Sequence, residues 1–227
     1  MPAGPGVQPA PVRSSGLHRF DSMATPFTKV YLASRSSRRR ELLKQIGVAF
    51  EVLLLREHWS RGPDVDESVH EGETPEDYVR RVAHEKAETG WMRILQRSLP
   101  RLPVLAADTT VCLGSTIFGK PANRHEAVAM LKELSGREHR VLTAVTLRFD
   151  ALEEGIVNDN IVRFRALDEA EIQHYVDTGE PYDKAGGYAI QGRAAVFIPE
   201  ILGSYTGVMG LPLYETADLL RKFQNRT

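Results

Sequence analysis

The stretch SRSSRRRELL, residues 34–43, constrains the fold more than any other part of the chain. It follows the apolar, β-prone run 30–33 and opens a pattern of apolar residues at helical spacing. Ser36 or Ser37 is the expected N-cap of this helix, and Gly47 stands where a glycine commonly ends one. The sequence therefore predicts a strand that leads directly into the N-terminus of an amphipathic helix.

Three arginines, Arg38, Arg39 and Arg40, fall in the first turn of this predicted helix. A helix N-terminus carries roughly half a positive charge and unpaired N–H groups, so each cation there costs about 0.3–1 kcal/mol. The cluster is explained if an anion is held by the N–H groups, nearby hydroxyls and the guanidinium groups. The alternative is a solvated basic patch whose charges are screened by salt.

The charge balance of the whole chain limits the kinds of ligand that this arginine cluster could bind. The 227 residues include 29 Lys and Arg against 30 Asp and Glu, for a formal net charge of −1. This balance argues against a general affinity for nucleic acids or membrane surfaces. The single cysteine, Cys112, excludes an intramolecular disulfide and fits a reducing cytosol. No run reaches the roughly 18 apolar residues of a membrane span.

Residues 1–22 differ in composition from the rest of the chain. They are rich in Pro, Gly and Ser and lack the apolar segment of a secretory signal. We expect them to form a disordered extension, followed by a single domain over residues 23–227. Predicted strands and helices alternate in that domain, with hairpin turns at 114–115 and 153–155 and a strand-like run at 194–198. This pattern predicts a mixed sheet, of the α/β or α+β class, with a cleft.

Asp108 is the carboxylate with the strongest signs of a chemical role. It follows the buried-type strand 103–107 and precedes the apolar run 109–113, where a bare charge is costly to bury. Ligand sites in open α/β sheets commonly lie where strands end. Asp108 is therefore a candidate metal ligand or general base, and the alternative is an aspartate that bonds its own turn.

Lys120 lies in a segment, GSTIFGKP at 114–121, that nearly matches a P-loop. The motif requires a Ser or Thr hydroxyl after the lysine to hold magnesium, and Pro121 stands there instead. The sequence therefore excludes a P-loop. Lys120 remains a candidate phosphate contact, because Gly119 and Pro121 fix its backbone in a turn; the alternative is a surface lysine.

The polar loop 56–73 is a possible source of a second carboxylate beside Asp108. A divalent cation needs hard oxygen ligands, and one acid of this loop would complete such a pair. Solvated loop charges are the alternative. The seven histidines show no paired spacing typical of a zinc site.

The segment 183–192 combines charge, glycines and an amide. Asp183 and Lys184 run into glycines that permit close approach of the backbone to a ligand. The side chain of Gln191 offers two donors and an acceptor, which suits the edge of a nucleobase. An ion pair and a turn-stabilising glutamine are the alternatives.

In their order and spacing, the motifs of residues 28–224 resemble the Maf family of nucleoside triphosphate pyrophosphatases. The matching segments are LASRSSRRRELL, HEKA (84–87), AADT (106–109), GKP (119–121), LSGREH (134–139), YVDTGEPYDKAGGYAIQG (175–192) and GLPLYET (210–216). Ile190, Gln191 and Gly192 resemble the dTTP/UTP-type branch of the family rather than the 7-methyl-GTP branch.

The resemblance implies a Maf/ITPase-like fold, with two lobes around a central mixed sheet and the substrate cleft between them. It implies a cytoplasmic enzyme that requires a divalent metal, Mg or Mn. Such an enzyme cleaves nucleoside triphosphates between the α and β phosphates, releasing the monophosphate and pyrophosphate. Removal of non-standard nucleotides is the associated housekeeping role, and family members often pair as homodimers.

The resemblance also implies roles for individual residues. Asp108 matches the proton acceptor, and with the loop acid Glu67 it would bind the metal. The specificity positions match Arg38, Thr109 and Gln191, and the polar cleft positions match Ser34, Lys86 and Lys120. From the residues themselves we add Arg39, Asp183 and Lys184 as substrate contacts.

The chain departs from the family pattern in two places. The family's small-Ser-Pro-Arg segment reads Arg-Ser-Ser-Arg at 35–38, and the acidic loop is several residues longer than usual. Two other functions remain open from the sequence: a pyrophosphatase for purine or modified nucleotides such as 7-methyl-GTP, and a nucleotide-binding regulator of cell division.

Overall fold

The computed structural model describes residues 29–55 and 64–226. Residues 1–22 and the first part of the acidic loop lie outside the described residues, so the expectations for them stay predictions. The strands are β1 (Val30–Leu32), β2 (Phe50–Val52), β3 (Val104–Leu113), β4 (Thr116–Phe118), β5 (Glu138–Phe149), β6 (Leu152–Arg163) and β7 (Glu200–Leu202). The α-helices are α1 (Ser37–Gln45), α2 (Pro75–Gln96), α3 (Arg124–Leu134), α4 (Glu169–Asp177), α5 (Tyr205–Val208) and α6 (Leu213–Gln224). Short 3-10 helices span Glu180–Asp183, Ala185–Gly187 and Arg193–Phe197.

The described strands form one mixed sheet in the order β2-β1-β3-β5-β6-β7, with β4 paired to the far end of β3. β1 is parallel to both β2 and β3, whereas the other pairings are antiparallel. Long hairpins joined to a short parallel unit are typical of mixed α/β domains. The predicted fold class is confirmed.

α1 begins and ends where the sequence predicts. The Ser36 hydroxyl accepts a hydrogen bond from the Arg39 N–H and caps the helix. At the other end Gly47 has φ +71°, and its N–H donates to the Lys44 carbonyl at 3.0 Å while the Val48 N–H donates to the Leu43 carbonyl at 3.1 Å. These two bonds form a Schellman motif, which needs the left-handed residue that glycine supplies.

Asp108 lies within β3, so the prediction that the strand ends there is wrong. β5 pairs with β3 residue by residue from Val104 to Cys112, and Asp108 stands opposite Ala144. Because side chains alternate across a strand, Asp108 leaves the sheet on the face covered by α2 while the strand continues.

Two further predictions of local structure are wrong. The hairpin between β5 and β6 turns at residues 150–151, not at 153–155, because Asp150 adopts a left-handed conformation at φ +56° and Phe149 pairs with Leu152. Residues 194–198 are not a strand. Ala194 and Phe197 are buried three residues apart, a spacing that matches the observed 3-10 turn.

Helices cover both faces of the sheet. α1 and α6 pack against one face through a core that includes Leu43, Leu105 and Phe223. α2 packs against the opposite face, where Trp91 contacts the core around Ala106. None of the described helices is both long and apolar enough to cross a membrane.

A separate core lies beyond the far end of β3. It joins α3 and α4 to β4, the end of β6 and the 3-10 segment that contains Phe197. This second packing region and the region around α1, α2 and α6 form the two lobes.

A gap beside β3 creates the cleft between these lobes. β1 pairs with β3 only as far as Leu105, and β4 joins the same edge only from Val111 onward. Among the described strands, none pairs with this edge in between. Asp108 and Thr109 lie in that gap, where Asp108 contacts Lys86 of α2 and Thr109 contacts Arg39 in the first turn of α1.

Candidate active site

The gap opens into a cleft of about 940 Å³. Every site residue predicted from the sequence lines it: Ser34, Arg38, Arg39, Glu67, Lys86, Asp108, Thr109, Lys120, Asp183, Lys184 and Gln191. These residues come from α1, α2, β3, the acidic loop, the turn after β4 and the glycine-rich segment. The fold thus brings together side chains that are up to 157 residues apart in the sequence, the separation of Ser34 and Gln191.

At the floor of the cleft, Lys86 lies between two carboxylates. Its Nζ is 2.7 Å from Asp108 Oδ1 and 2.8 Å from Glu67 Oε1. The side chains of Lys86 and Asp108 are only 15% and 12% exposed, whereas that of Glu67 is 46% exposed. α2 supplies the lysine, β3 the buried aspartate and the loop the outer glutamate, so this cluster forms only when all three elements are in place.

The three charges stabilise one another. Burial alone would lower the pKa of Lys86, but the carboxylates of Asp108 and Glu67 outweigh burial and raise it above its ordinary value. Burial would raise the pKa of Glu67, but Lys86, and more weakly Lys120 and Arg39, hold it below its ordinary value. Both groups are therefore charged at neutral pH.

Arg39 points inward and braces the cleft wall. Its Nε donates to the Gly210 carbonyl at 2.8 Å, its Nη1 to Ser34 Oγ at 3.2 Å, and its Nη2 to Thr109 Oγ1 at 3.1 Å. Burial lowers the pKa of this guanidinium, and Asp108 opposes that effect. Arg39 was predicted to contact the substrate, and it lines the cleft, but its guanidinium bonds to three protein groups.

Arg38 and Lys120 supply positive charge on either side of the opening. Nη1 of Arg38 is 3.6 Å from Asp183 Oδ2, and the Asp183 side chain is 70% exposed. The turn that carries Lys120 is held by a hydrogen bond from the Gly186 N–H to the Gly119 carbonyl at 3.0 Å. Gly186 has φ +70°, and a Cβ there would lie 2.9 Å from the Val111 side chain, so the close approach requires glycine.

Gln191 lies at the tip of a turn that is closed by the Gly192 N–H and the Ala189 carbonyl at 3.0 Å. Glu180 supports this turn from behind: its carboxylate accepts from the Arg193 N–H at 3.1 Å and from the Tyr175 hydroxyl at 2.9 Å. The Gln191 side chain itself is exposed at the rim of the cleft.

Some residues that hold this site together were not predicted from the sequence. Thr143 on β5 donates its hydroxyl hydrogen to the Gly207 carbonyl at 2.8 Å and accepts a hydrogen bond from the Thr109 hydroxyl at 2.9 Å. Glu180 was not identified either. The signal for Thr143 is its position directly opposite Thr109 in the strand pairing, which is known only once the register is known.

The donor set suits a hard divalent cation shared with a ligand. Asp108 and Glu67 offer carboxylate oxygens, and the described residues include no group of three or more His, Cys, Asp or Glu side chains that would form a cage. Mg²⁺ is typically bound by one or two carboxylates and completes its shell with water and substrate phosphates. The residues therefore fit such an ion, which would share the carboxylate oxygens of Asp108 and Glu67 with Lys86.

The fold and the site define a class of protein: a mixed α/β domain with a cleft between its two lobes that is lined by charged side chains of both signs. The sequence model of the Maf-like protein family matches residues 29–223, and the chain belongs to this family.

The chain is similar over most of its length to curated proteins. It is 58% identical over 196 residues to a protein of Aromatoleum aromaticum named dTTP/UTP pyrophosphatase, covering 86% of this chain and 95% of that protein. It is 56% identical over 193 residues to a protein of the same name from Nitrosomonas europaea, covering 85% and 93%. The solved structure of the Staphylococcus aureus Ham1 protein is also similar, and the match covers 60% of this chain and 71% of the Ham1 chain. Its TM-score of 0.40 and sequence identity of 16% are too low to support an argument.

Proposed function

We propose that this chain hydrolyses dTTP and UTP to the nucleoside monophosphate and pyrophosphate. The observation that carries the proposal is the cluster of Asp108, Lys86 and Glu67 at the floor of a cleft whose walls bear Arg38 and Lys120. Carboxylates at the floor and cations at the walls match the needs of a triphosphate and its metal. The relatives named dTTP/UTP pyrophosphatase support the choice of substrate.

In this proposal Asp108 and Glu67 would hold a divalent cation, Mg²⁺ or Mn²⁺, which when bound neutralises phosphate charge and lowers the pKa of bound water. Asp108 accepts the proton of the attacking water. Lys86 pairs with both carboxylates and holds them on one side of the cleft before substrate arrives. Lys120 and Arg38 stabilise the charge that develops on the departing pyrophosphate.

Gln191 and Thr109 would select the base. Gln191 stands on a braced turn at the rim, where its amide is free to donate to and accept from a pyrimidine edge. Replacement of Gln191 by Ala should therefore reduce the preference for dTTP over dATP more than it lowers kcat. An unchanged ranking of substrates would show that base selection lies elsewhere.

The proposal extends to the cellular setting. A cytoplasmic enzyme that hydrolyses free nucleotides would serve in housekeeping of the nucleotide pool, and a homodimer is the expected oligomer. We propose no binding of nucleic acid, since the formal net charge is −1.

The test is pyrophosphate release from dTTP, UTP, dATP, GTP and 7-methyl-GTP with Mg²⁺ or Mn²⁺, and with a chelator. Faster metal-dependent release from dTTP and UTP than from the others is the expected result. Release only from purine or methylated substrates would support the proposed reaction and contradict the proposed preference for dTTP and UTP. If folded protein releases none from any of them, the reaction is wrong, and a nucleotide-binding regulator becomes the better description.

A further inference from the structure

Two side chains of α2 hold the backbone around Glu67. Arg81 donates from Nη1 to the carbonyl of Asp66 at 2.9 Å and from Nη2 to the carbonyl of Ser68 at 2.8 Å. The Tyr78 hydroxyl donates to the carbonyl of Glu67 itself at 3.0 Å. Three consecutive carbonyls of an irregular loop are thus bonded to one helix, with Glu67 in the middle.

Arg81 is itself fixed by carboxylates. Its Nε and Nη2 donate to the two oxygens of Glu73 at 2.6 and 3.0 Å, and its Nη1 donates to Glu85 at 3.3 Å. The side chains of Arg81 and Glu73 are only 18% and 9% exposed. A bidentate guanidinium–carboxylate pair has a fixed geometry, which the two carbonyl contacts then pass on to the loop.

Glu67 lies on an irregular segment of the chain. Its carboxylate also contacts Lys86, and three residues earlier the Asp64 carboxylate contacts Arg93, which is on α2 as well. The described part of the loop, residues 64–73, contains no helix or strand, and the Glu67 side chain is 46% exposed. Asp108, by contrast, is held in β3 by pairing with β5 on either side of it. If both carboxylates bind one ion, other contacts must position Glu67. The hydrogen bonds from α2 to the backbone around Glu67 provide those contacts.

We propose that Arg81 is a positioning residue that holds the Glu67 carboxylate beside Lys86 and Asp108, in place for a divalent cation. The inference rests on the proposed function, in which Glu67 is a metal ligand. Arg81 acts through the loop carbonyls and does not touch the ion or the substrate.

The neighbouring arginine provides a matched control. Arg80 is also on α2, but its side chain is 56% exposed and pairs only with Glu76, one turn away, at 3.1 Å among the described residues. Arg81→Gln and Arg80→Gln remove the same charge one residue apart. They differ in whether the Glu67 loop loses its contacts.

The primary measurement is the Mn²⁺ concentration that gives half-maximal pyrophosphate release from dTTP. Arg81→Gln should raise it about tenfold or more, as loss of an outer-shell contact typically does, whereas Arg80→Gln should leave it unchanged. The KM for dTTP at saturating Mn²⁺ should change little in both. In parallel, paramagnetic resonance of free Mn²⁺ should show weaker binding of the ion by Arg81→Gln protein in the absence of nucleotide.

A double-mutant cycle with Glu67→Gln tests whether Arg81 acts through Glu67. If it does, Arg81→Gln should weaken Mn²⁺ binding in the wild-type background and have no further effect when Glu67 is already replaced. Additive effects, or a wild-type Mn²⁺ requirement in Arg81→Gln, would overturn the inference while leaving the proposed function intact.

Tyr78→Phe gives a milder version of the same test, since it removes a single hydroxyl. It should raise the Mn²⁺ requirement in the same direction as Arg81→Gln, but by less. If Arg81→Gln does not fold, Glu73→Gln decides the question, because it weakens the bidentate pair that fixes the Arg81 guanidinium. An unchanged Mn²⁺ requirement in Glu73→Gln would then contradict the inference. Wild-type protein that releases no pyrophosphate would instead contradict the proposed function, and Mn²⁺ binding would still test the role of Arg81.

Discussion

Single buried groups in this protein are held in one charge state by their surroundings. Lys86 is charged because the carboxylates of Asp108 and Glu67 both face it, although its side chain is only 15% exposed. His139 shows the opposite case. It is buried in the second lobe, where its Nε2 is 2.8 Å from the Tyr188 hydroxyl and its ring packs edge-on against Phe164.

His139 should make the stability of the fold depend on pH. Burial lowers its pKa to about 4, whereas an unfolded histidine titrates near 6.5. Between these values the unfolded state binds a proton that the folded state does not. The free energy of unfolding should therefore fall as the pH is lowered through this window, by up to about 3 kcal/mol, and the contribution should level off below pH 4.

Denaturant titrations at a series of pH values test this, with His139→Gln and His125→Gln as the pair of variants. His125 is exposed, so its replacement should leave the wild-type slope unchanged. In the His139→Gln protein, the free energy of unfolding should fall much less between pH 6.5 and pH 4 than it does in wild type. An identical slope in wild type and His139→Gln would contradict the assignment.

At the scale of elements, the site depends on segments that hold one another in register. The Gln191 turn is supported by Glu180, which lies in the 3-10 turn after α4 and also bonds Tyr175. Gly192 has φ −104°, which any residue adopts, so its backbone conformation does not require glycine. The requirement is space, because a Cβ there would lie 2.3 Å from the Glu180 carboxylate.

Gly192→Ala should therefore displace either Glu180 or the turn that carries Gln191. We expect kcat/KM for dTTP to fall by about tenfold to 10²-fold, since displacements of about 1 Å have effects of this size, with a weaker preference for dTTP over dATP. Gly155→Ala on β6 is the control, because its Cβ would come no nearer than 3.4 Å to any atom. Wild-type kinetics in Gly192→Ala would show that the turn does not depend on this contact.

The local elements were predictable because their signals are local. The cap at Ser36 and the glycine at 47 each act within one helical turn, and the structure has them as predicted. The end of β3 was not predictable, since β5 continues to pair beyond Asp108. The turn at 150–151 was missed because Asp150 gives a weaker signal than the glycine at 155.

At the scale of the whole molecule, the cleft exists because β1 and β4 leave one edge of β3 open between the two lobes. The motifs named the cleft residues, and the fold does bring them together. Their separate tasks required long-range contacts that no motif contains: Arg39 faces the wall and bonds Gly210, and Arg81 faces the loop of Glu67. The sequence therefore predicted which residues line the cleft better than it predicted the contacts of each residue.

The central claim is that this cleft is an active site with Asp108 as its proton acceptor. The most direct measurement is metal-dependent pyrophosphate release from dTTP by Asp108→Asn, compared with wild type. The substitution keeps the shape of the side chain and removes its charge. With folding verified by circular dichroism, turnover should fall by about 10²–10⁴-fold, the usual effect of losing a general base. Turnover close to that of wild type would contradict the claim and place the base elsewhere.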